Sequence, residues 1–589
     1  MSWVIGVDVG GTFTDFHVYD DESGALRIHK TPSTPDNPAT AVLRGLNELA
    51  HVGDIDFAAV SRLSHGTTVA TNSLLQRRGG KVALLVTEGF RDLLEIGRQI
   101  RPHMFSFQQD HPTPLVPRER RFEAAERILY DGSVHRPLEQ GAVDRAVAAV
   151  AQSGADCLAI CLLFAFINPD HERQLRDGLH AALPDLHISL SSEVQPEFRE
   201  YERLSTTVLN AYLQPVMGSY LAEFEDRVSR LMPSASLGIN QSAGGLMTPA
   251  RARQLPIRTA LSGPAAGVVG AIDAARSAYE PNVITLDMGG TSADVCLIRN
   301  LAADVAYDRW VEGYPVRLAS VDVNAVGAGG GSIAWFERDG LMKVGPQSAG
   351  AVPGPACYGQ GGTEPTVSDA NLVLGRLSPR GLLGGGMALR EDAARVSLAA
   401  SAARLDMSIE RTAHGILGIV VANMVRAIRT ISVERGHDPR DFVLLPFGGA
   451  GPLHAADVAR ALGISRMLVP PAPGILCARG LVVSDLRESF VISRVTALSQ
   501  AAMAEIEGNL NQLAQQAKAW FDQAEIAADA REATYSLDMR YTGQNYELQV
   551  ELDDAQALRP ELSVLREKFF AAHERTYGYH NPADPAEVV

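Results

Sequence analysis

The feature that most constrains the fold of this chain is an internal repeat. Residues 4–19 (VIGVDVGGTFTDFHVY) align without gaps to residues 283–298 (VITLDMGGTSADVCLI), and seven of the 16 positions are identical. The copies begin at positions 4 and 283, a separation far too long for the period of a solenoid. In each copy an apolar run, a Gly-Gly pair and a second run predict a β-hairpin. The repeat therefore predicts two related lobes that each open with the same hairpin.

Each predicted hairpin carries a carboxylate just ahead of its two glycines. The two motifs are Asp8-Val9-Gly10-Gly11-Thr12 and Asp287-Met288-Gly289-Gly290-Thr291. Glycine lets backbone N–H groups approach a phosphate closely, and a nearby carboxylate can hold the Mg²⁺ that accompanies phosphates. One copy alone is equally well explained as a plain turn, whereas two copies facing a cleft form a phosphate clamp. We therefore predict Asp8 and Asp287 as catalytic and metal-binding residues, and the glycines and threonines of both motifs as phosphate-binding residues.

Two further glycine-rich loops are candidates for the same site. Phe447-Gly448-Gly449-Ala450-Gly451 lies between a predicted strand and a predicted helix, and is neither a Walker A loop nor a GxGxxG motif. Such a turn lets a base and ribose lie against the backbone, so Gly448, Gly449 and Gly451 are predicted to contact adenosine. The loop at residues 327–332 (GAGGGS) is either a flexible surface turn or a loop near the nucleotide or substrate, in which case Gly329 and Gly330 are cofactor-binding residues.

Three polar side chains near these motifs are candidates for a substrate site. His65 and Thr67 belong to the run HGTT at residues 65–68, and His454 follows the late glycine turn. The alternative for Thr67 or Thr68 is to cap the helix predicted at residues 68–77. The alternative for His454 is to cap or pack its own helix.

Composition excludes several other classes of protein. The chain has 589 residues, 46% of them hydrophobic and 21% charged, which is typical of a globular protein of several domains. Its net charge of −16 disfavours general binding to nucleic acid or to anionic membranes. The five cysteines form no CxxC pair, no zinc-ligand spacing occurs, and the longest strongly apolar run, at positions 157–167, is too short to span a membrane. We expect a cytoplasmic protein with no disulfide framework and no membrane span.

Periodicity predicts alternating strands and helices along the chain. Strands are expected at 3–9, 12–20, 82–90, 156–167 and 442–447, and helices at 38–51, 142–155 and 410–435. The character of the sequence changes around 485–500. A separate C-terminal piece then follows, with a helical stretch at 501–530, two strands within 534–552 and a helix at 560–577.

With these motifs in place, the chain resembles the actin/hexokinase/Hsp70 ATPase superfamily and, more closely, the hydantoinase A/5-oxoprolinase family, which includes N-methylhydantoinase A and acetone carboxylase β-type subunits. The stretches that carry the resemblance include DVGGTFTD (8–15), HGTTVATNSLLQRRG (65–79), GFRDLLEIGRQIRP (89–102), SGPAAGVVGA (262–271), DMGGTSAD (287–294) and FGGAGPLHA (447–455).

The resemblance implies an α/β fold with two duplicated actin/hexokinase-like (ribonuclease H-like) lobes around a nucleotide cleft, plus a small mixed α/β C-terminal domain. It implies an N-terminal hydantoinase/oxoprolinase-type lobe at 1–190, a hydantoinase A-type ATPase lobe at 191–490 and a C-terminal domain at 491–589. Family members usually continue well beyond this point, so we expect this last domain to be incomplete. Ala293 also replaces the hydroxyl residue usual in the family's DMGGTST motif.

The resemblance further implies ATP and Mg²⁺ as cofactors and a hydantoinase B-type subunit as partner. The function it favours is phosphorylation of the carbonyl oxygen of a cyclic amide (a hydantoin, 5-oxoproline or a lactam) to activate ring opening. The first alternative is a ketone carboxylase subunit that uses the same phosphorylation. The second is an ATPase switch protein, which would turn over ATP without a small substrate. The substrate itself is not set by the sequence.

Overall fold

The structure, a computed structural model, describes residues 2–34, 37–52, 55–106, 108–382, 386–553 and 557–589. The chain forms two compact units, each assembled from two separate segments. Unit 1 consists of Met1–Gly80 and Leu213–Arg487, and unit 2 consists of Lys81–Tyr212 and Glu488–Val589. Each unit is therefore completed only when a distant part of the chain returns to it.

The described residues contain strands in both units, numbered here in chain order. They are β1 (Trp3–Val9), β2 (Phe13–Asp20), β3 (Leu26–Pro32), β4 (Val60–Gly66), β5 (Val82–Thr87), β6 (Arg121–Ala124), β7 (Arg127–Ile128), β8 (Val134–Arg136), β9 (Cys157–Cys161), β10 (His187–Leu190), β11 (Ser236–Asn240), β12 (Leu246–Met247), β13 (Val283–Met288), β14 (Ala293–Arg299), β15 (Ala302–Ala303), β16 (Val305–Val311), β17 (Tyr314–Val321), β18 (Val323–Val326), β19 (Ser332–Phe336), β20 (Met342–Ser348), β21 (Val443–Phe447), β22 (Thr496–Ala497), β23 (Tyr535–Tyr541), β24 (Leu548–Leu552) and β25 (Ala586–Val588).

The helices of the same residues are numbered in the same way. They are α1 (Pro38–Val52), α2 (Val69–Leu75), α3 (Leu93–Ile96), α4 (Gln140–Ser153), α5 (Asp170–Ala182), α6 (Ser191–Val194), α7 (Glu200–Leu231), α8 (Pro249–Gln254), α9 (Ser262–Ser277), α10 (Val367–Val373), α11 (Glu391–Leu405), α12 (Ile409–Ile431), α13 (Gly451–Leu462), α14 (Leu476–Val482), α15 (Met503–Gln523) and α16 (Leu562–Tyr577).

Unit 1 contains the same strand arrangement twice. In its first sheet, of order β12-β11-β4-β1-β2-β3, β1 pairs antiparallel with β2 and parallel with β4. In its second sheet, of order β15-β14-β13-β21, β13 pairs antiparallel with β14 and parallel with β21. β1 and β13 are almost entirely buried, as expected for Val- and Ile-rich strands with a neighbour on each side. The sequence repeat is thus also a repeat of strand pairing.

Unit 2 holds two separate sheets. Its first sheet has the order β10-β9-β5-β6 with all strands parallel, and α4 and α5 supply apolar side chains to its core. Its second sheet has the order β22-β25-β23-β24 and packs with α15 and α16 around Phe569 and Met539. The mixed α/β character expected for residues 491–589 is therefore present in the structure.

The compact units divide the chain differently from the predicted domain boundaries at 190 and 490. β4 pairs with β11, which joins the segment Met1–Gly80 to the segment Leu213–Arg487. The segment Lys81–Tyr212 instead builds its own parallel sheet. Both Asp-Gly-Gly hairpins belong to unit 1, where they lie in two different sheets, and their division into separate lobes stays a prediction. Such long-range strand pairing is not visible in the local sequence pattern.

Most predicted elements lie close to their expected positions, and the main difference concerns residues 156–167. The strand expected there ends at Cys161 as β9, because the chain then enters turns in which Phe164 has a φ of 56°. Several strands were not predicted: β3, β4, β16 and β17 have seven or eight residues, whereas β6, β7 and β8 are very short. A strand this short gives little period-two signal in the sequence.

One helical segment of the described chain, Ile409–Arg435, is long and apolar enough to span a membrane by length and composition. Its buried side chains, among them Ile416, Val420 and Met424, pack in one core cluster with Leu286 of β13. We therefore interpret this segment, which contains α12, as a core helix of unit 1.

Candidate active site

The two glycine turns of unit 1 have the same hydrogen-bonding pattern. The Gly10 N–H donates to the Phe13 carbonyl at 3.0 Å, and the Gly289 N–H donates to the Ser292 carbonyl at 3.1 Å. The next two N–H groups of each turn, those of residues 11, 12, 290 and 291, have no protein acceptor within the described ranges. Unpaired, closely spaced N–H groups of this kind form anion-binding concavities. Each turn can therefore donate hydrogen bonds to phosphate oxygens.

The two turns also approach each other directly. A Cβ atom added at Gly290 would lie 3.0 Å from the Thr12 Oγ1, which leaves no room for a larger residue. The two turns of the predicted clamp therefore lie next to each other, and their binding of phosphate stays a prediction.

Four aspartates lie in two cross-strand pairs behind these turns. Asp8 is opposite Asp15 in the β1–β2 ladder, and Asp287 is opposite Asp294 in the β13–β14 ladder. Directly opposite residues lie on the same face of a sheet with their Cβ atoms about 5 Å apart. The four carboxylates thus concentrate negative charge beside the predicted phosphate site.

The acids of this group have raised pKa values, and burial is the main cause for each of them. Burial, together with the neighbouring Asp15 carboxylate, raises the pKa of Asp8 to about 7. Burial and the Asp294, Asp8 and Asp15 carboxylates raise the pKa of Asp287 well above its usual range. Burial also raises the pKa of Asp294 to about 6. Because each carboxylate repels the others, the cluster favours a cation nearby.

Each of the two leading aspartates lies against a glycine on the neighbouring parallel strand. A Cβ added at Gly66, the last residue of β4, would lie 2.7 Å from the Asp8 Oδ1. A Cβ added at Gly448, just after β21, would overlap the Asp287 Oδ1, and Gly448 also has a φ of 78°. A side chain at Gly448 would be strained as well as overlapping. Gly66 lies directly opposite Asp8, whereas Gly448 follows Phe447, the residue opposite Asp287, so the two glycines contact the two carboxylates from positions that differ by one residue.

Lys30 is a residue of the site that sequence reasoning missed. It lies opposite Asp15 in the β2–β3 ladder, and its Nζ is 2.5 Å from the Asp15 Oδ1. The Nζ also donates to the Gly474 carbonyl at 3.3 Å and lies 5.2 Å from the centre of the Phe13 ring. Its positive charge opposes the rise in the pKa of both Asp8 and Asp15. The sequence did offer a signal for Lys30, because lysine is rare in this chain, which has only five.

Cys477 was also missed. Cys477 is the second residue of α14, and its Sγ donates a hydrogen bond to the Asp287 Oδ2 at 3.7 Å. Burial and the Asp287 carboxylate raise the pKa of this thiol well above its usual range, so the thiol stays protonated. It can therefore orient the Asp287 carboxylate as a weak hydrogen-bond donor. The other four cysteines are buried.

The late glycine turn, which we predict to contact adenosine, is tied to β13 and leaves part of its backbone open. The Ala450 N–H donates to the Met288 carbonyl at 2.9 Å, which ties the turn to β13. Gly449 is exposed, and a Cβ there would meet no atom within 4 Å. Gly451 begins α13, a helix of 12 residues. The turn therefore presents open backbone next to Asp287.

The loop at residues 327–332 supports the second hairpin and is not a free surface turn. The Gly330 N–H donates to the Gly289 carbonyl at 3.0 Å, and the Gly331 N–H donates to the Gly290 carbonyl at 2.7 Å. The Gly329 N–H donates to the Ser332 Oγ at 2.8 Å. Because the N–H groups of Gly329 and Gly330 already have acceptors, these residues shape the turn in this conformation rather than donate to a phosphate.

The structure places the two candidate histidines in the protein interior. His65 is fully buried, its Nε2 lies 2.8 Å from the Tyr220 hydroxyl, and its ring stacks on Phe224 at 4.5 Å. His454 is also fully buried, with its Nε2 3.3 Å from the Asn371 Nδ2. Neither ring reaches solvent in this conformation, which favours the packing role that we weighed for His454.

Thr67 and Thr68 occupy the start of α2, as the capping alternative expects. Thr68 holds the N-cap position but makes no side-chain capping hydrogen bond. The Thr67 Oγ1, which is buried, accepts a hydrogen bond from the Val69 N–H at 3.2 Å. The Thr67 hydroxyl thus stabilises the first turn of the helix.

The acids of the site do not form a preformed cage for a metal ion. Within the described ranges, no group of three or more His, Cys, Asp or Glu side chains is placed to hold one. Mg²⁺ is usually bound through one or two protein carboxylates with water and phosphate oxygens as its other ligands. Asp8 and Asp287, on opposite sides of the two turns, fit that mode of binding.

Comparison with known families gives the class of this protein. The family described as Hydantoinase/oxoprolinase matches residues 203–490, and its N-terminal region matches residues 4–182. The chain belongs to the hydantoinase/oxoprolinase family, and the resemblance seen in the sequence is confirmed.

Individual relatives match over nearly the whole chain. The caprolactamase subunit alpha of Pseudomonas jessenii is 37% identical over 600 residues, which cover 99% of this chain and 85% of that protein. The crystal structure of the ATP-dependent caprolactamase from Pseudomonas jessenii superposes with a TM-score of 0.88 over 99% of this chain and 86% of that one. The acetophenone carboxylase gamma subunit of Aromatoleum aromaticum is 36% identical and covers 83% of this chain and 69% of that protein.

Two further comparisons extend the range of activities among the relatives. The nucleotide-free structure of acetone carboxylase has a TM-score of 0.79 and 26% identity, and covers 99% of this chain and 86% of that one. 5-oxoprolinase 1 of Arabidopsis thaliana is 33% identical and covers 82% of this chain but only 41% of that protein. Cyclic amidases and ketone carboxylases are thus both similar to this chain.

Proposed function

We propose that this chain is the ATP-using subunit of a cyclic amide hydrolase. The observation that carries the proposal is the pair of Asp-Gly-Gly turns in unit 1, which face each other with unpaired N–H groups and one half-buried aspartate behind each turn. The relatives that are named as caprolactamase and 5-oxoprolinase support a cyclic amide as the substrate. The relatives that are named as subunits support a multi-subunit enzyme.

In this proposal the residues of unit 1 divide the work of holding ATP. The N–H groups of Gly11, Thr12, Gly290 and Thr291 bind the phosphates, and the turn at residues 448–451 receives the adenosine. Lys30 supplies a positive charge on the side of the first hairpin. Catalysis of phosphoryl transfer depends mainly on such positioning and charge neutralisation.

Asp8 and Asp287 would hold Mg²⁺, and their surroundings fit that role. In the contacts described above, the cluster contains four carboxylates and only one cation, the Lys30 ammonium. The ionised cluster therefore has an excess of negative charge. A divalent cation would offset this repulsion and let both aspartates ionise at neutral pH. Gly66 and Gly448 leave the space that the two carboxylates need.

Bound ATP would supply the phosphoryl group that converts the weakly electrophilic amide carbonyl into a species with a good leaving group. The chain's own part is to align the carbonyl oxygen with the phosphates and to keep water away from them. Hydrolysis of the activated amide is assigned to a hydantoinase B-type partner, as the family resemblance implies.

The test is a substrate panel in which ADP release is measured with and without a B-type subunit. ε-Caprolactam, hydantoin and 5-oxoproline are compared with acetone and acetophenone in the presence of bicarbonate. We expect ADP release that depends on one of the cyclic amides, together with formation of the ring-opened acid. The similarity to acetophenone carboxylase supports ketone carboxylation as the second candidate, and release with a ketone alone would select it.

The matched variant for this assay is Asp287→Asn, which keeps the size of the side chain but removes its charge. We expect it to fold and to lose about a hundredfold or more of the substrate-dependent turnover. Turnover within a few-fold of the wild type would remove Asp287 from the site. Turnover without any small substrate would favour the ATPase switch instead.

A further inference from the structure

The parallel sheet of unit 2 has a carboxyl edge that the proposed function does not use. From β5 the chain crosses to β6 on one side, and then returns to place β9 and β10 on the other side of β5. The strand order therefore reverses at β5. In open parallel α/β sheets, ligands bind outside the carboxyl ends of the strands at such a reversal.

A cavity of about 620 Å³ lies at this place in unit 2. Thr87 and Glu88, at the carboxyl end of β5, line it together with Glu126 and Arg127, which follow β6. Leu129, His135 and Arg136 complete the lining. Its volume is in the range that small-molecule sites occupy.

A chain of buried hydrogen bonds fixes the floor of the cavity. The Thr87 hydroxyl donates to the Glu126 Oε1 at 2.5 Å and accepts from the Leu163 N–H at 3.0 Å. The His171 Nδ1 lies 2.7 Å from the Glu126 Oε2, and its Nε2 accepts from the Leu138 N–H at 3.4 Å. The Glu126 side chain is fully buried, so its carboxylate fixes the Thr87 and His171 side chains beneath the cavity.

Two arginines lie opposite each other at the rim of the cavity. Arg127 and Arg136 are direct partners in the β7–β8 ladder, an arrangement that is unfavourable for like charges unless an anion lies nearby. Arg136 forms an ion pair with Glu88 at 2.5 Å. The half-buried Arg127 guanidinium lies 5.3 Å from the centre of the Phe90 ring and has no ion pair or side-chain hydrogen bond to the described part of the chain.

We propose that this cavity binds a small amino acid, with its carboxylate on Arg127 and its ammonium group directed at the exposed Glu88 carboxylate. A planar guanidinium that stacks on an aromatic ring is well suited to hold a carboxylate. Opposite charges on the two sides of the cavity favour a zwitterion over a simple anion. Ring opening of a lactam releases an amino acid, so the choice of probe, but not the site itself, rests on the proposed function.

The test measures binding of 6-aminohexanoate to the full chain by calorimetry, with hexanoate and inorganic phosphate as comparison ligands. We expect the amino acid to bind one-to-one and more tightly than either comparison ligand. Arg127→Gln should weaken its binding by about ten- to a hundredfold, the effect of losing a hydrogen bond to a charged group. Arg145→Gln, on the exposed face of α4 in the same unit, should leave binding unchanged.

Two further variants separate this site from unit 1 and from misfolding. Asp287→Asn should bind 6-aminohexanoate as the wild type does, because the cavity belongs to unit 2. Arg127→Lys keeps the charge without the planar fork, and should bind 6-aminohexanoate with intermediate affinity. This variant provides the test if Arg127→Gln is destabilised. Unchanged affinity in Arg127→Gln, tighter binding of phosphate, or no binding of the amino acid to the wild type overturns the proposal. If no substrate in the panel causes ADP release but the binding of 6-aminohexanoate still depends on Arg127, the proposed function is overturned and the proposal for this cavity is not.

Discussion

The pH dependence of stability should change when Asp8 is replaced by asparagine. The folded chain raises the pKa of Asp8 from its ordinary value of 3.8 to about 7. A carboxyl whose pKa is raised on folding contributes its full stability below the unfolded-state pKa, and that contribution is lost as the pH rises through the folded-state pKa. A shift of about 3 pH units corresponds to about 4 kcal/mol of folding stability, which is present at low pH and lost above pH 7. About 2–3 kcal/mol of this stability is lost between pH 5 and pH 8.

Asparagine cannot ionise, so the Asp8→Asn chain should not show this loss. The measurement is urea unfolding of wild type and variant without nucleotide or Mg²⁺, at pH 5 and at pH 8. Tryptophan fluorescence is a suitable signal, because three of the four tryptophans, at positions 3, 310 and 335, belong to unit 1. We expect the variant to gain about 2–3 kcal/mol relative to the wild type between the two pH values.

The comparison between two pH values cancels any effect of the amide on packing, provided that this effect does not itself depend on pH. Asp21→Asn is the matched control, because Asp21 is exposed directly after β2. It should leave the difference between pH 5 and pH 8 unchanged. Equal loss of stability in wild type and Asp8→Asn would refute the reasoning that burial, and not a specific contact, governs this carboxyl.

The remaining predictions concern the turns and the lysine of unit 1. Gly448→Ala should lower ATP turnover and should lower the free energy of unfolding by about 1–3 kcal/mol. Gly449→Ala, with open space around it, should keep the free energy of urea unfolding within about 0.5 kcal/mol of the wild-type value. Gly290→Val should weaken ATP binding in calorimetry because its side chain would meet the Thr12 hydroxyl, and unchanged affinity would contradict the clamp. Lys30→Met should reduce ATP affinity about tenfold, while Lys343→Met on β20 should not; equal affinities would remove Lys30 from the site.

The sequence alone determined the local content of the site. The repeat places the same Asp-x-Gly-Gly-Thr run after two apolar strands, and each run forms the expected hairpin because strand, glycine turn and alternation are all local signals. The resemblance to the hydantoinase/oxoprolinase family could also be seen from short motifs, and the relatives agree with the predicted enzyme class.

Tertiary structure decided which distant residues meet at those turns. Lys30 reaches Asp15 only because β3 pairs with β2, and Cys477 reaches Asp287 only because α14 packs beside the hairpins. Gly66 and Gly448 reach the Asp8 and Asp287 carboxylates only because β4 and β21 pair in parallel with β1 and β13. Strand pairing between segments far apart in the chain is set by the packing of the whole sheet, and a local sequence pattern does not predict it.

The same reason explains why the sequence did not show how the compact units are assembled or how the two histidines pack. A boundary read from local composition cannot show that Met1–Gly80 joins Leu213–Arg487, because that union depends on the pairing of β4 with β11. His65 and His454 are polar residues next to glycine motifs, a pattern that suits either a ligand contact or a packed ring. The burial that favours packing over ligand contact comes from Phe224 beside His65 and Asn371 beside His454, two residues that are distant in the sequence and that only the fold brings to the rings.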